Sequence, residues 1–162
     1  MNKIEIWEDN KILRTVSQKI TQKELKQYLK LAKEMKKHIK NPDNGWVGLA
    51  APQIWVNKRL IAVSLLKDWD DEDYPTIIMI NPEIIEKSEE KQTFEEGCLS
   101  LPWAKWEVTR EESIKIKFLD EKFKENTIIL KWLSSTIVQH EIDHLDGILF
   151  TDRIKEEKNK IF

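Results

Sequence analysis

HEIDHLDG, from His140 to Gly147, sets two histidines four residues apart with a glutamate beside the first. On an α-helix that spacing is about one turn, which brings the two Cβ atoms within about 5 to 6 Å and lets two imidazoles reach one metal ion. Glu141 then flanks the same face, placed to reach a water at the metal without being a ligand itself. The ordinary alternative is a helix carrying two surface histidines. Leu133, Ile137 and Ile148 argue against it, because they put His140 and His144 on the apolar side, where unpaired imidazoles are costly. The helix is expected to begin near Trp132 and to end by Gly147, a residue suited to the left-handed position after a C-cap.

A catalytic ion of the zinc type generally takes three protein ligands and keeps one position open. After His144 only eighteen residues remain. They include Asp152, Glu156 and Glu157 but leave little room for a further helix that returns a carboxylate. Upstream, EEGCLSLP places Cys98 after Gly97 in a short, non-periodic segment bounded by Pro102, read as a loop from which a thiolate could reach the helix. A third segment, GWVGLAAPQ from Gly45 to Gln53, combines Gly48 and two alanines with an amide donor, so backbone could approach a ligand closely there. Alone it also reads as a packing loop. Yet all four glycines, Gly45, Gly48, Gly97 and Gly147, fall in or beside these three segments.

Around these segments, 162 residues predict one domain over 1–162, with enough chain to bury a core without disulfides. The 27 Lys+Arg nearly cancel 29 Asp+Glu, and a net charge of −2 gives no general pull toward nucleic acid or an anionic membrane. MNKIEIWEDN carries no export pattern, and LIAVSLL at Leu60 to Leu66 is far shorter than the roughly 20 residues that span a bilayer. Cys98 is the sole cysteine, which fits a reducing cytoplasm; a lone thiol is also often a small buried hydrophobe. A helix is expected from Thr21 to about Ile39, opened by a Thr21/Glu24 capping box, with Leu25, Tyr28, Leu29, Ala32, Met35 and Ile39 on one stripe. His38 near its end reads as a surface residue favoured by the helix dipole. Strands are expected at Leu60 to Leu65, Ile77 to Ile80, Trp106 to Arg110, Ser113 to Leu119 and Thr127 to Leu130, with KDWDDEDYP as a solvated loop.

Together VGLAAPQ, EGCLS and QHEIDHLDG, in that order, resemble the three motifs of the peptide deformylases, and the similarity extends from the N-terminal helix to LFTDRI. The resemblance implies an α+β fold, mainly antiparallel or mixed β-sheets packed around a central helix bearing the two histidines. It implies that Cys98, His140 and His144 hold a divalent ion, Fe²⁺ in the cell and often Zn²⁺, Ni²⁺ or Co²⁺ in preparations, with Glu141 as general base and acid. The implied reaction is hydrolysis of the N-formyl group on the first methionine of newly made polypeptides, with the Gln53 amide and the Leu99 backbone N–H stabilising the oxyanion. Helix spacing aligns Leu133, Thr136 and Ile137 with His140 as a slot for the methionine side chain, and Val47, Gly48 and Phe94 complete it by analogy.

Three positions depart from the family. Trp46 stands where the first motif has its leading glycine, which puts the backbone path in question. Trp103 and Lys105 stand where relatives often carry a small or polar residue and an arginine. Trp46, Trp55, Trp103, Trp106 and Trp132 flank the motifs, either as core or as an aromatic rim of a cleft. KEEKNKIF is a short tail, which argues against ribosome docking through that end. A metallopeptidase with a third ligand other than Cys98, and a catalytically silent metal or peptide-binding module, remain as alternatives at this point.

Overall fold

The protein is described by a computed structural model covering residues 10–67, 70 and 74–159, with side chains to 154. The N-terminal stretch, most of the acidic segment after Lys67 and the last residues of the tail lie outside the described residues. In chain order the elements are α1 (Leu25–Lys40), β1 (Gly48–Ala50), β2 (Leu60–Ser64), β3 (Thr76–Lys87), β4 (Lys91–Cys98), β5 (Leu101–Glu111), β6 (Ser113–Leu119), β7 (Glu125–Lys131), α2 (Trp132–Leu145) and α3 (Phe150–Asn159), with short 3₁₀ turns at Pro42–Asn44 and Ala51–Ile54.

Period-two alternation builds the centre. In β2, Leu60 and Ala62 face one apolar cluster with Ala32, Met35 and Ile39 of α1. Ile61 and Val63 face the other, with Leu133, Ile137, Val138, Ile142 and Leu145 of α2. Because successive strand residues point to opposite faces, the two helices cover opposite sides of one sheet. That sheet has five strands in the order β1-β2-β3-β6-β7, and β4 and β5 form a separate two-stranded sheet. Every pair between these strands is antiparallel.

α2 is the buried middle element, and its polar residues are matched to neighbours. Ser134 Oγ donates to Leu66 O at 2.6 Å, Ser135 Oγ to Glu111 O at 3.0 Å and Gln139 Nε2 to Glu111 O at 2.8 Å. A buried donor left without an acceptor costs about 1 to 3 kcal/mol, so these bonds let a helix of mixed composition sit inside. Gly147 takes φ +74°, and a Cβ there would lie 2.8 Å from Arg14 O.

The structure differs from the sequence expectations in places that have physical reasons. α1 starts at Leu25 because the Glu24 carboxylate is drawn back to the Thr21 N–H and hydroxyl, both at 2.9 Å, closing a turn ahead of the helix. EGCLS is a loop only in part: Glu96 to Cys98 end β4, Leu99 and Ser100 form the turn, and Cys98 pairs with Leu101 of β5. The strand KQTFEEGC escaped notice because its buried positions are Glu96 and Cys98, not aliphatic residues. β1 is only three residues long, too short to show a period. α3 is a helix where only a tail was expected. His38 is half-buried with its pKa lowered by burial, and so it is not a dipole-stabilised surface cation.

Candidate metal centre

Two elements converge on one point. Cys98 comes from the end of β4, while His140 and His144 come from successive turns of α2. One donor atom of each lies within 4.8 Å of the other two. Cys98 Sγ is 3.2 Å from His144 Nε2, and His140 Nδ1 is engaged by Glu96 Oε2 at 2.8 Å, which leaves His140 Nε2 for a ligand. This is the donor set that the sequence pointed to.

The charges of the site suit a cation. Burial pushes the Cys98 thiol up, but the positive His144 and hydrogen bonds from both imidazoles outweigh burial and hold it well below its usual range. Burial pushes His140 down, yet the Cys98 sulfur and Glu96 hold it well above its usual range. In the metal-free protein a thiolate is thus balanced by a proton held on imidazole. One thiolate and two imidazoles are the donor types that a divalent ion takes, and Cys98, His140 and His144 would hold it in place of that proton. The chain therefore has a Cys/His₂ site that fits a divalent metal.

Glu141 is 4% exposed and its Oε2 has no hydrogen-bond partner among the described residues. Burial raises its carboxyl to about 7, against the opposing pull of His140 and His144. β1 passes directly over it: a Cβ built on Gly48 would lie 2.2 Å from Glu141 Oε1. Gly48 thus serves close approach, not a special φ.

Gln53 is fixed on the 3₁₀ turn after β1. Its Oε1 accepts from Ala50 N at 2.8 Å, which turns Nε2 toward Ser100 Oγ at 3.3 Å and Cys98 Sγ at 3.7 Å. One cavity joins these groups, lined by Val47, Gly48, Gln53, Cys98, Leu99, Leu133, Thr136, Ile137, His140 and Glu141. Phe94 is not on its wall; it lies in β4 opposite Val108, half-buried. Trp46 joins the cavity wall and also packs on the α1 side of the core. It needs no left-handed backbone, so the conformation at this position does not require a glycine. Lys105 lies beside the cavity that Trp46 and Glu95 border next to the first. Trp55, Trp103, Trp106 and Trp132 are 57%, 58%, 46% and 58% exposed. Core packing does not account for them.

A buried charge network behind the site went unread in the sequence. Arg110 Nε donates to Glu96 Oε1 at 2.5 Å and Arg110 Nη1 to Asp143 Oδ2 at 2.8 Å, while Arg153 of α3 donates to both oxygens of Asp143, at 2.5 and 3.1 Å. Burial alone would raise the Glu96 and Asp143 carboxyls; hydrogen bonds from His140 and Arg110 hold Glu96 low, and Arg153 and Arg110 hold Asp143 low. Glu96 therefore accepts from His140 as an anion and fixes that ring. The available signal was spacing: Glu96 and Cys98 share one strand face at i and i+2.

The chain matches the Polypeptide deformylase family over residues 1–160. It is 44% identical over 125 residues to a peptide deformylase of Synechocystis, covering 77% of this chain and 65% of that one. Against the peptide deformylase of Leptospira biflexa the identity is 38% over 157 residues, covering 92% of this chain and 86% of that one. Relative to several cyanobacterial relatives the match spans less than two thirds of their length, as with Prochlorococcus marinus at 62%. Among solved structures, a probable peptide deformylase from synechococcus phage S-SSM7 superposes with TM-score 0.82 at 38% identity, covering 94% and 99% of the two chains. A Met-Ala-Ser-bound class I type b peptide deformylase of Acinetobacter baumannii superposes at 0.83 and 33% identity, covering 94% and 98%.

Proposed function

Because this chain belongs to the polypeptide deformylase family, we propose that it removes the N-formyl group from the first methionine of newly made polypeptides and releases formate. The observation that carries this reading is the Cys98, His140 and His144 donor cluster with the unpartnered Glu141 carboxylate on the wall of the same cavity. Cys98, His140 and His144 hold a divalent ion, Fe²⁺ in the cell with Zn²⁺, Ni²⁺ or Co²⁺ able to replace it, since one thiolate and two imidazoles suit all four. When bound, the ion supplies Lewis acidity for the formyl carbonyl and lowers the pKa of a water.

The remaining work falls to this chain. Glu141 takes a proton from the attacking water and returns it to the leaving amine, a role open to a buried carboxylate whose Oε2 has no hydrogen-bond partner among the described residues. The Gln53 Nε2–H, held by its bond to Ala50, and the Leu99 N–H donate to the oxygen on which negative charge builds. Val47, Gly48, Leu133, Thr136 and Ile137 wrap the methionine side chain, and their apolar wall excludes water from the reacting carbon.

Bringing Cys98 into the donor set disfavours a metallopeptidase with a different third ligand. The buried thiolate also needs a reducing compartment to stay a ligand, which supports a cytoplasmic location. No helix of the described residues is long and apolar enough to cross a membrane. The test is formate release from formyl-Met-Ala-Ser by anaerobically prepared protein, with acetyl-Met-Ala-Ser as the control. Release from the formyl peptide alone supports the reading; release from neither, or cleavage of the Met-Ala bond, overturns it.

A further inference from the structure

The outer face of α1 concentrates charge that the whole-chain total conceals. Residues 25–40 contain six lysines and one glutamate, a net of +5 in a chain whose total is −2, so the remainder carries −7. Lys26, Lys30, Lys33, Lys37 and Lys40 recur every three or four residues and all five are exposed. At 1.5 Å per residue they form a single stripe about 21 Å long. Lys36, off the stripe, pairs with Glu121 at 3.5 Å, whereas the five stripe lysines make no ion pair among the described residues. The opposite face of α1, with Ala32, Met35 and Ile39, is spent on the core.

At its C-terminal end the stripe borders an open hollow of about 890 Å³, where Asn41, Asn44 and His38 join Lys37 and Lys40. Asn44 Nδ2 lies 3.2 Å from His38 Nδ1 and donates to His38 O at 2.7 Å. His38 Nε2 has no partner among the described residues. Five residues beyond Lys40 the chain turns at Gly45 and then forms the cavity wall at Trp46 and Val47.

We propose that this face of α1 is a docking surface for the phosphate backbone of RNA, holding the enzyme on a polyanion with its catalytic cavity at the end of the stripe. A linear row of ammonium groups without an ion pair among the described residues matches a linear row of phosphates. An anionic lipid surface fits less well, because the exposed face offers no apolar side chain to insert and the apolar face is already buried. The choice of RNA over DNA rests on the proposed action on newly made polypeptides; the phosphate chemistry does not depend on it.

The test is fluorescence anisotropy of a labelled 20-nucleotide single-stranded RNA with the metal-loaded enzyme, run beside anionic phosphatidylserine vesicles. Five phosphate contacts on a single strand give a log–log salt slope of about −3.5, or roughly 100-fold weaker binding at 200 mM than at 50 mM salt. Lys30→Gln/Lys33→Gln/Lys37→Gln should flatten the slope by about 2 and weaken binding at low salt. Glutamine keeps the helix, and formate release from a free peptide should not change. The control Lys91→Gln/Lys122→Gln/Lys131→Gln, with the same loss of charge on other surfaces, should bind RNA as the unmodified protein does. Equal loss in both variants, RNA binding untouched by the α1 substitutions, or binding to vesicles but not to RNA would overturn the proposal. RNA binding is read without any formyl substrate, so its failure is separate from failure of the deformylase reading.

Discussion

Replacing Gly48 by alanine tests how finely the base is placed. The new Cβ would sit 2.2 Å from Glu141 Oε1, 2.8 Å from its Cδ and 2.9 Å from its Cγ. Ordinary contact begins near 3.4 Å, so the carboxylate must retreat by about 1.2 Å, or β1 must lift off β2. A displacement of about 1 Å at a reacting group costs on the order of 10²-fold, and complete loss of a general base costs about 10² to 10⁴. Gly48→Ala should therefore lower kcat by about 100-fold or more. Metal content should stay at the unmodified level, because the three atoms nearest the added methyl all belong to Glu141 and none to Cys98, His140 or His144. The assay is formate release under anaerobic conditions, paired with metal analysis of the same sample. Unchanged kcat in a folded, metal-loaded variant would refute the close approach of β1 to Glu141 as a constraint on catalysis.

Other outcomes follow from the same geometry. Glu141→Gln should keep the metal and lose about 10²- to 10⁴-fold in rate; equal activity would remove Glu141 from the mechanism. Glu96→Gln should weaken metal binding by about 10- to 100-fold, since it fixes the His140 ring, read by competition with a chelator; unchanged affinity would show that the ring is held by packing alone. In the metal-free protein Glu141 keeps its proton to about 7 when folded but only to 4.5 when unfolded, so stability should fall by about 3 kcal/mol as pH rises through that window. Denaturant unfolding should show that fall flattened in Glu141→Gln, and parallel curves would contradict the shift. Trp46→Gly should change the rate ratio between formyl-Met peptides with bulky and small second residues, because Trp46 borders both cavities; a constant ratio would assign the ring to packing alone.

The sequence disclosed what repeats and what is scarce. The i, i+4 histidines of α2, the period-two run SIKIKFL of β6 and the clustering of four glycines were legible because each obeys a local rule. β4 was not, since its inward residues are Glu96 and Cys98, and a strand whose core face carries ligands and their supports has no hydrophobic alternation to read. Arg110 and Asp143 were equally silent. Their burial is compensated by partners distant in sequence, and a charge in a strand or helix looks solvated until those partners are known. Net charge is likewise an average over the chain, and it does not reveal the lysine stripe of α1.

The most direct measurement titrates metal-free protein anaerobically with Fe²⁺ while following formate release from a formyl-Met peptide. Activity should rise linearly and break at one ion per chain, with Cys98→Ala showing neither the break nor the activity. Full occupancy at Cys98, His140 and His144 without formate release, or formate release that persists in Cys98→Ala, would contradict the account.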